Sequence, residues 1–215
     1  EGEGGADAPM TEASTIYLLD VASGEGIEAE LRDAIEEAQL ADWQTQWQPA
    51  LIKVLQELRR QGVPMAQWPQ SWHWDWREKT TRVQGFLAFP GFSVVSSGVT
   101  QGLMLLDLRR AAREPSQAGK PLVYVDYLEV APWNRPDLGQ RPRLKGVGTA
   151  LLTAAVELSE QEGYRGRIGL HSLPQSEVFY RDGCRMSDLG PDTAYQNLRY
   201  FEMTAENARS FLDKE

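Results

Sequence analysis

The spacing of apolar and polar positions changes period along the chain, and each change marks an element. "TIYLLDVA", from Thr15, reads as a strand. From Ile27 to Gln39 the residues Ile27, Leu31, Ala34, Ile35 and Ala38 recur at helical spacing and predict a helix. A second helix is expected over Trp47 to Gln61, stopped by Gly62 with Pro64 beyond it. From Phe86 the period shortens. "FLAFPGFSVVSSG" and "GLMLLDLRRAA" predict strands with Gly98 to Gly102 as their turn, and "PLVYVDYLEVAP" is the most strand-like run of all. Such neighbours predict an antiparallel meander. Helical spacing returns from Val147 to Glu162, where Val147, Leu151, Ala154, Ala155 and Leu158 share a face and Gly163 closes the helix. "GRIGLHSLP" then predicts a strand, "QSEVFYRDG" a short helix, "QNLRYFEMT" a strand and "AENARSFLDKE" a last helix. The order predicts an α+β fold with a mixed, mostly antiparallel sheet flanked by helices.

Composition narrows what such a fold could do. With 215 residues and 41% hydrophobic content, one main domain is expected. The opening "EGEGGADAPMTEAS" carries acids, no base and little to bury, so residues 1–14 are expected to form a disordered acidic tail and residues 15–215 the domain. A net charge of -9 works against nonspecific nucleic-acid binding, which needs a basic face, and favours cationic partners. Cys184, the single cysteine, cannot form an internal disulfide. No apolar run approaches the roughly 20 residues of a membrane span, and no signal pattern opens the chain. A soluble, cytoplasmic protein is expected, and two histidines with one cysteine argue against a zinc site.

Against this acidic background "RPRLKGVGTALL", Arg141 to Leu152, is locally basic: Arg135, Arg141, Arg143 and Lys145 face Asp137 alone. Gly146 and Gly148 open the helix that follows, where the first backbone N–H groups have no internal partner and the helix dipole favours an anion. Glycine also lets a ligand approach the backbone closely. The grid is not a dinucleotide fingerprint, because Leu151 stands where a third small residue is required, and there is no P-loop. A glycine loop that merely starts a helix, with solvated basic residues, is the alternative.

A second cluster is aromatic. Trp43 to Trp76 holds six of the seven tryptophans, including "WPQSWHWDWREK". Tryptophan in this density covers a sheet as core and rim, or forms an aromatic wall for an amine with Asp75 as counter-charge.

The order of pieces resembles the GNAT superfamily of N-acetyltransferases: a strand ending "YLEVAP", the R-x-x-G-x-G of "RLKGVGTALL", a strand, then "SEVFYRDG". The match covers about Phe86 to Thr204 as a cofactor-binding core, and the long "APWNRPDLGQRPR" connection departs from it. The resemblance implies acetyl-CoA as co-substrate, no metal, and an amine acceptor. By position it implies that the backbone from Arg143 through Leu144, Lys145, Gly146, Val147 and Gly148 to Thr149 holds the pyrophosphate, with nearby arginines on the outer phosphate. Main-chain groups near Leu128 and Val130 would pair with the pantetheine arm, with an oxyanion donor near Val130. Tyr180 falls on the family's tyrosine, a phenol able to donate to the departing thiolate. Packing beneath its helix beside Phe179 is the alternative.

Direct attack needs a base. Strand alternation puts Tyr127 and Glu129 on one face and Asp126, Leu128 and Val130 on the other, making Glu129 the candidate, with a strand-end ion pair to an arginine as the competing reading. His171 is the rival base, and Cys184 a poor nucleophile. The acceptor, a small-molecule or protein amine, is not legible. A non-catalytic acyl-CoA-binding or protein-interaction module on the same fold stays open, as does a homodimer through exposed tryptophans on the amino-terminal helices. No nucleic-acid or membrane partner is expected.

Overall fold

The computed structural model describes residues 12–139 and 141–213. Their strands form one nine-stranded sheet. β1 (Ala13–Asp20), β2 (Gly26–Arg32), β3 (Gly91–Ser96), β4 (Val99–Ala111) and β5 (Pro121–Val130) each run antiparallel to the next. The short β6 (Leu144–Lys145) adds to the free edge of β1. On the other side β7 (Ile168–Ser172) lies parallel to β5, and β8 (Ser187–Asp192) and β9 (Leu198–Met203) complete the sheet, with β9 between β7 and β8. The mixed, mostly antiparallel α+β architecture is the one the sequence predicts. No helix among the described residues is long and apolar enough to cross a membrane.

Helices cover both faces, which is why residues 100–106 of β4 are buried without alternation. On one face α4 (Val147–Gln161) and α5 (Ala205–Leu212) share a core with Met104, Leu106, Val123, Val125 and Ile168. On the other, Trp43, Trp47 and Trp76 pack on Leu103 and Leu105. These tryptophans come from α1 (Glu37–Asp42), a π-helical turn at Trp43–Trp47 that continues into α2 (Gln48–Arg60), and α3 (Trp76–Val83). The wide turn precedes Pro49, whose missing N–H an ordinary α-helical ladder would leave unmatched. Trp47 Nε1 donates to the Thr100 carbonyl at 2.9 Å, and Asp42 accepts from the Thr100 N–H and hydroxyl at 2.8 Å each, fixing this helix to β4.

Several elements differ from expectation. The helix expected over Ile27 to Gln39 is β2 followed by the start of α1. Ile27 and Leu31 fit both periods, and pairing with β1 and β3 selects the extended form, in which Ile27, Ala29 and Leu31 join the core. The turn expected at Gly98 to Gly102 is the tighter Ser97-Gly98, both at positive φ, so β4 starts at Val99. β1 begins at Ala13, inside the expected tail; residues 1–11 lie outside the described residues. Trp43 and Trp47 are buried, so they offer no exposed dimer face.

One irregularity shapes the centre. β5 and β7 pair only across Val123–Val125 and Ile168–Leu170. Beyond this β5 runs on to Val130 beside β4, while β7 gives way to Leu173-Pro174. A register shift between Leu105 and Leu106 leaves Asp126 as an extra residue in β5, and such bulges bend and twist a strand. The strands part there, and the end of α4 carrying Gly146 stands over the gap.

Gly102 brings that helix close: a Cβ there would lie 2.6 Å from Val147 Cγ1 and 2.9 Å from Leu151 Cδ1. Gly102→Ala is expected to push the first turn of α4 away from β4 and to lower stability by about 1–3 kcal/mol, read by urea denaturation.

Candidate active site

Two cavities meet where β5 and β7 separate. The first, of about 470 Å³, lies between the end of β5 and the start of α4; its wall includes Leu128, Glu129, Val130, Leu144, Lys145, Gly146, Val147, Gly148 and Tyr180. The second, of about 710 Å³, is bordered by Trp68, Trp72, Trp74, Tyr124, Asp126, Tyr127 and His171. Leu128, Leu173, Ser176 and Tyr180 belong to both. Most residues singled out in the sequence therefore converge on one place, although they come from β5, α4 and the turns after β7.

The glycine loop is built for close approach. Gly146 caps α4 at φ 100°, without a side-chain cap, so the first amides of the helix keep no internal partner. A Cβ on Gly148 would lie 3.4 Å from Phe179 Cζ, filling space against that ring. The amides of Arg143 and Leu144 are already used, donating to the Trp133 carbonyl at 3.0 Å and Asn134 Oδ1 at 2.9 Å. Available donors therefore begin further along than the sequence implied. Thr149 follows in the first turn but is outside the cavity wall.

The basic island is also less free than its composition implied. Arg135 is buried, with Nη1 3.2 Å from Glu129 Oε1 and 3.0 Å from Ser71 Oγ, while Nε and Nη2 both bond Asp137. Arg143 lies over the Trp133 ring, and Arg141 donates to the Val21 carbonyl. Lys145 remains exposed at the cavity rim.

Glu129 is buried and both of its oxygens are engaged, Oε1 by Arg135 and Oε2 by Trp76 Nε1 at 2.7 Å. Burial pushes its carboxyl above the ordinary range against the pull of Arg135. This is the strand-end ion pair that competed with the general-base reading. Tyr180 is 7% exposed in a π-helical turn at Phe179–Gly183, between Phe179 and Phe201, and burial raises its phenol pKa well above the usual value. It stays protonated at any physiological pH. The Cys184 thiol is buried and pushed up to about 12, which suits packing.

The tryptophans divide between the two readings. Trp43, Trp47 and Trp76 are core, whereas Trp68, Trp72 and Trp74 line the larger cavity. Asp75 is not the counter-charge of that wall: it caps α3 by accepting from the Glu78 N–H. The carboxylates bordering this cavity are Asp126 and Glu177. Asp126, the extra residue of the bulge, borders this cavity together with Tyr127 and Leu128, and burial, reinforced by the charge of Asp107, raises its pKa. Lys79 Nζ sits 3.4 Å from the Tyr127 ring centre and 4.9 Å from that of Trp74, and burial lowers its pKa. Sequence reasoning named neither Lys79 nor Tyr124, because nothing local marks a residue that reaches the cavity from a different element.

Removing the cation from the buried pair gives a signed prediction. Arg135→Met leaves Glu129 buried without its partner and is expected to lose about 3–5 kcal/mol. The folded-state pKa of Glu129 then rises further above its unfolded value, so the folded form binds the extra proton and the variant grows less stable as pH rises. Denaturation at pH 5 and pH 8 checks this: Arg135→Met is expected to be closer to wild type at pH 5, and Glu129→Gln in the same background to remove the difference.

No protein-family model matches the chain, and no curated protein matches it by sequence. Solved structures do. The GNAT domain of S. lividans PAT aligns with a TM-score of 0.51 at 16% identity, over 89% of this chain and 96% of that one. The PaiA N-acetyltransferase from Thermoplasma acidophilum, solved in complex with coenzyme A, aligns at 0.49 and 17% identity over 82% and 98%. The aminoglycoside N-acetyltransferase AAC(6')-Iy, in complex with CoA, gives 0.45 and 17% over 73% and 85%. At these identities the likeness speaks of architecture: the chain has the fold of the GNAT N-acetyltransferases.

Proposed function

We propose that the protein is an acetyl-CoA-dependent N-acetyltransferase acting on a primary amine by direct attack. The observation that carries this reading is the meeting of the two cavities along Leu128, Leu173, Ser176 and Tyr180. One has an uncapped helix start and a strand edge without a neighbour; the other is aromatic and edged by carboxylates. A thioester carried in the first would present its carbonyl to an amine in the second.

The residues fit the donor. Gly148 keeps the cradle open beneath Phe179, and the amides from Val147 to Thr149, with the α4 dipole, suit a diphosphate. Beyond Val125 the edge of β5 facing β7 has no paired strand, so main-chain groups around Leu128 and Val130 can bond an extended arm as a strand would. An amide near Val130 would stabilise charge on a carbonyl oxygen held there. Arg135 is buried in its ion pairs, so the exposed Lys145, Arg143 and Arg141 are the cations that would meet an outer phosphate. Bound there, acetyl-CoA supplies an activated acyl group, and the protein supplies position and proton handling.

Tyr180 donates its hydroxyl proton to the departing sulfur, a role consistent with burial that keeps it protonated. Glu129 serves by holding Arg135 and Trp76, and through them the connection after β5, rather than as a proton acceptor, since both its oxygens are occupied.

Two measurements test this. Calorimetry is expected to show salt-sensitive binding of acetyl-CoA, with Gly148→Val weakening it at least about tenfold by filling the space against Phe179. Thiol release over a panel of diamines, amino acids and aminoglycosides is expected for wild type, with Tyr180→Phe about 10²-fold slower and its acetyl-CoA affinity nearly unchanged. Absence of acetyl-CoA binding by the folded protein contradicts the reading. Binding without turnover of any amine indicates the non-catalytic module instead.

A further inference from the structure

The larger cavity contains a hydrogen-bonded chain that the steps above do not use. Tyr124 of β5 and His171 of β7 stand on either side of the last paired residues of the two strands. Tyr124 Oη lies 2.7 Å from His171 Nδ1, and His171 Nε2 lies 3.0 Å from Asp192 Oδ2 of β8. Arg113, just beyond β4, reaches the same Asp192 oxygen at 2.5 Å. The imidazole is clamped: the Tyr195 ring stacks on it at 3.9 Å and 9°, Tyr200 of β9 lies 5.0 Å away, and the side chain is 3% exposed.

This arrangement fixes the direction of each bond. The hydrogen bonds from Arg113 and His171 hold Asp192 at about 2, so at neutral pH its carboxylate only accepts. The His171 proton therefore belongs on Nε2. Burial lowers the His171 pKa, helped by Arg113 and by Arg110 of β4 and opposed by Asp192, which favours a neutral ring with a lone pair on Nδ1. Burial and Asp126 keep Tyr124 protonated, so its hydroxyl donates to Nδ1. The lone pairs of the Tyr124 oxygen are then left as the acceptor at this point of the cavity.

Resting on the acetyl-transfer reading, we propose that Tyr124 and His171 form the relay that takes the proton from the acceptor amine, with Asp192 positioning the imidazole. As the amine nitrogen bonds to the acetyl carbon and the carbon–sulfur bond breaks, a nitrogen-bound proton passes to the Tyr124 oxygen. The hydroxyl proton of Tyr124 passes at the same time to His171 Nδ1. The electron pair of the broken bond leaves on sulfur, which takes the Tyr180 proton. His171, now an imidazolium held by Asp192, returns its proton to solvent, and Tyr180 regains one from solvent. No oxidant or further reactant is needed. Glu129, committed to Arg135 and Trp76, takes no part in this transfer.

The chain has two histidines, so ¹⁵N NMR of the imidazoles reads the arrangement directly, with His171→Gln identifying the signal. At pH 7.5 the expected pattern is a neutral His171 protonated on Nε2, with the Nδ1 resonance shifted in Tyr124→Phe. A ring protonated on Nδ1, or an imidazolium, overturns the relay whatever the kinetics show. In thiol release with acetyl-CoA and the fastest panel amine, Tyr124→Phe and His171→Gln are each expected to lower kcat about 10²-fold. In His171→Gln the part of the fall of kcat/KM toward acid pH that comes from the imidazole is also expected to vanish, leaving that of the amine itself, while acetyl-CoA affinity is retained. Variants that turn over the amine at the wild-type rate with the same acid limb overturn the relay alone. A wild-type protein that turns over no amine overturns the transfer reading and the relay with it.

Discussion

The structure depends on the early end of one strand pairing. β5 and β7 hold together through Val125 and Leu170 and then diverge, with Asp126 as an extra residue in one strand and Pro174 closing the path of the other. A sheet that stayed paired to Val130 would have no cavity between its strands and no free edge on β5. Because it opens, residues distant in sequence meet: Gly146 at the head of α4, Tyr180 after β7, and Tyr124, Leu128 and Glu129 along β5.

An open edge in the middle of a sheet needs bracing, and the polar interior supplies it. Glu129 and Arg135 bind across the turn that follows β5, and Arg135 continues to Asp137 and Ser71. Trp133 and Asn134 both donate to Gln101 of β4, and Asn134 accepts from the Leu144 amide, so the long connection arrives at β6 on a fixed path. The buried Glu129, Arg135 and Asp107 each have an ionic partner, as burial in a low-dielectric interior demands. The same bonding that positions the helix start uses up groups that composition alone would offer to a ligand.

Sequence periodicity carried the fold far, and its failures have definite causes. The helix from Val147 and the strand from Pro121 were legible because long runs keep one period. β2 was not, since Ile27 and Leu31 satisfy either spacing and only pairing with β1 and β3 decides between them. At the site, the cluster of Leu128, Glu129, Val130, Gly146, Gly148 and Tyr180 was legible from motif order. The bulge at Asp126 was not, because strict alternation places Tyr124 and Tyr127 on opposite faces, whereas both border the same cavity. Nor does sequence spacing bring Asp192 to His171, 21 positions earlier, or Arg135 into a buried pair. The tryptophan-rich region was neither wholly core nor wholly wall, since α3 buries Trp76 while the loop before it leaves Trp68, Trp72 and Trp74 facing the cavity.

The function of the protein rests on what occupies the gap that the parting strands create. A crystal structure of the protein with acetyl-CoA tests it most directly. The diphosphate is expected against the Val147 to Thr149 amides, the extended arm along the β5 edge at Leu128 to Val130, and the sulfur beside the Tyr180 hydroxyl. Acetyl-CoA bound elsewhere, or a gap left vacant at saturating acetyl-CoA, would contradict it.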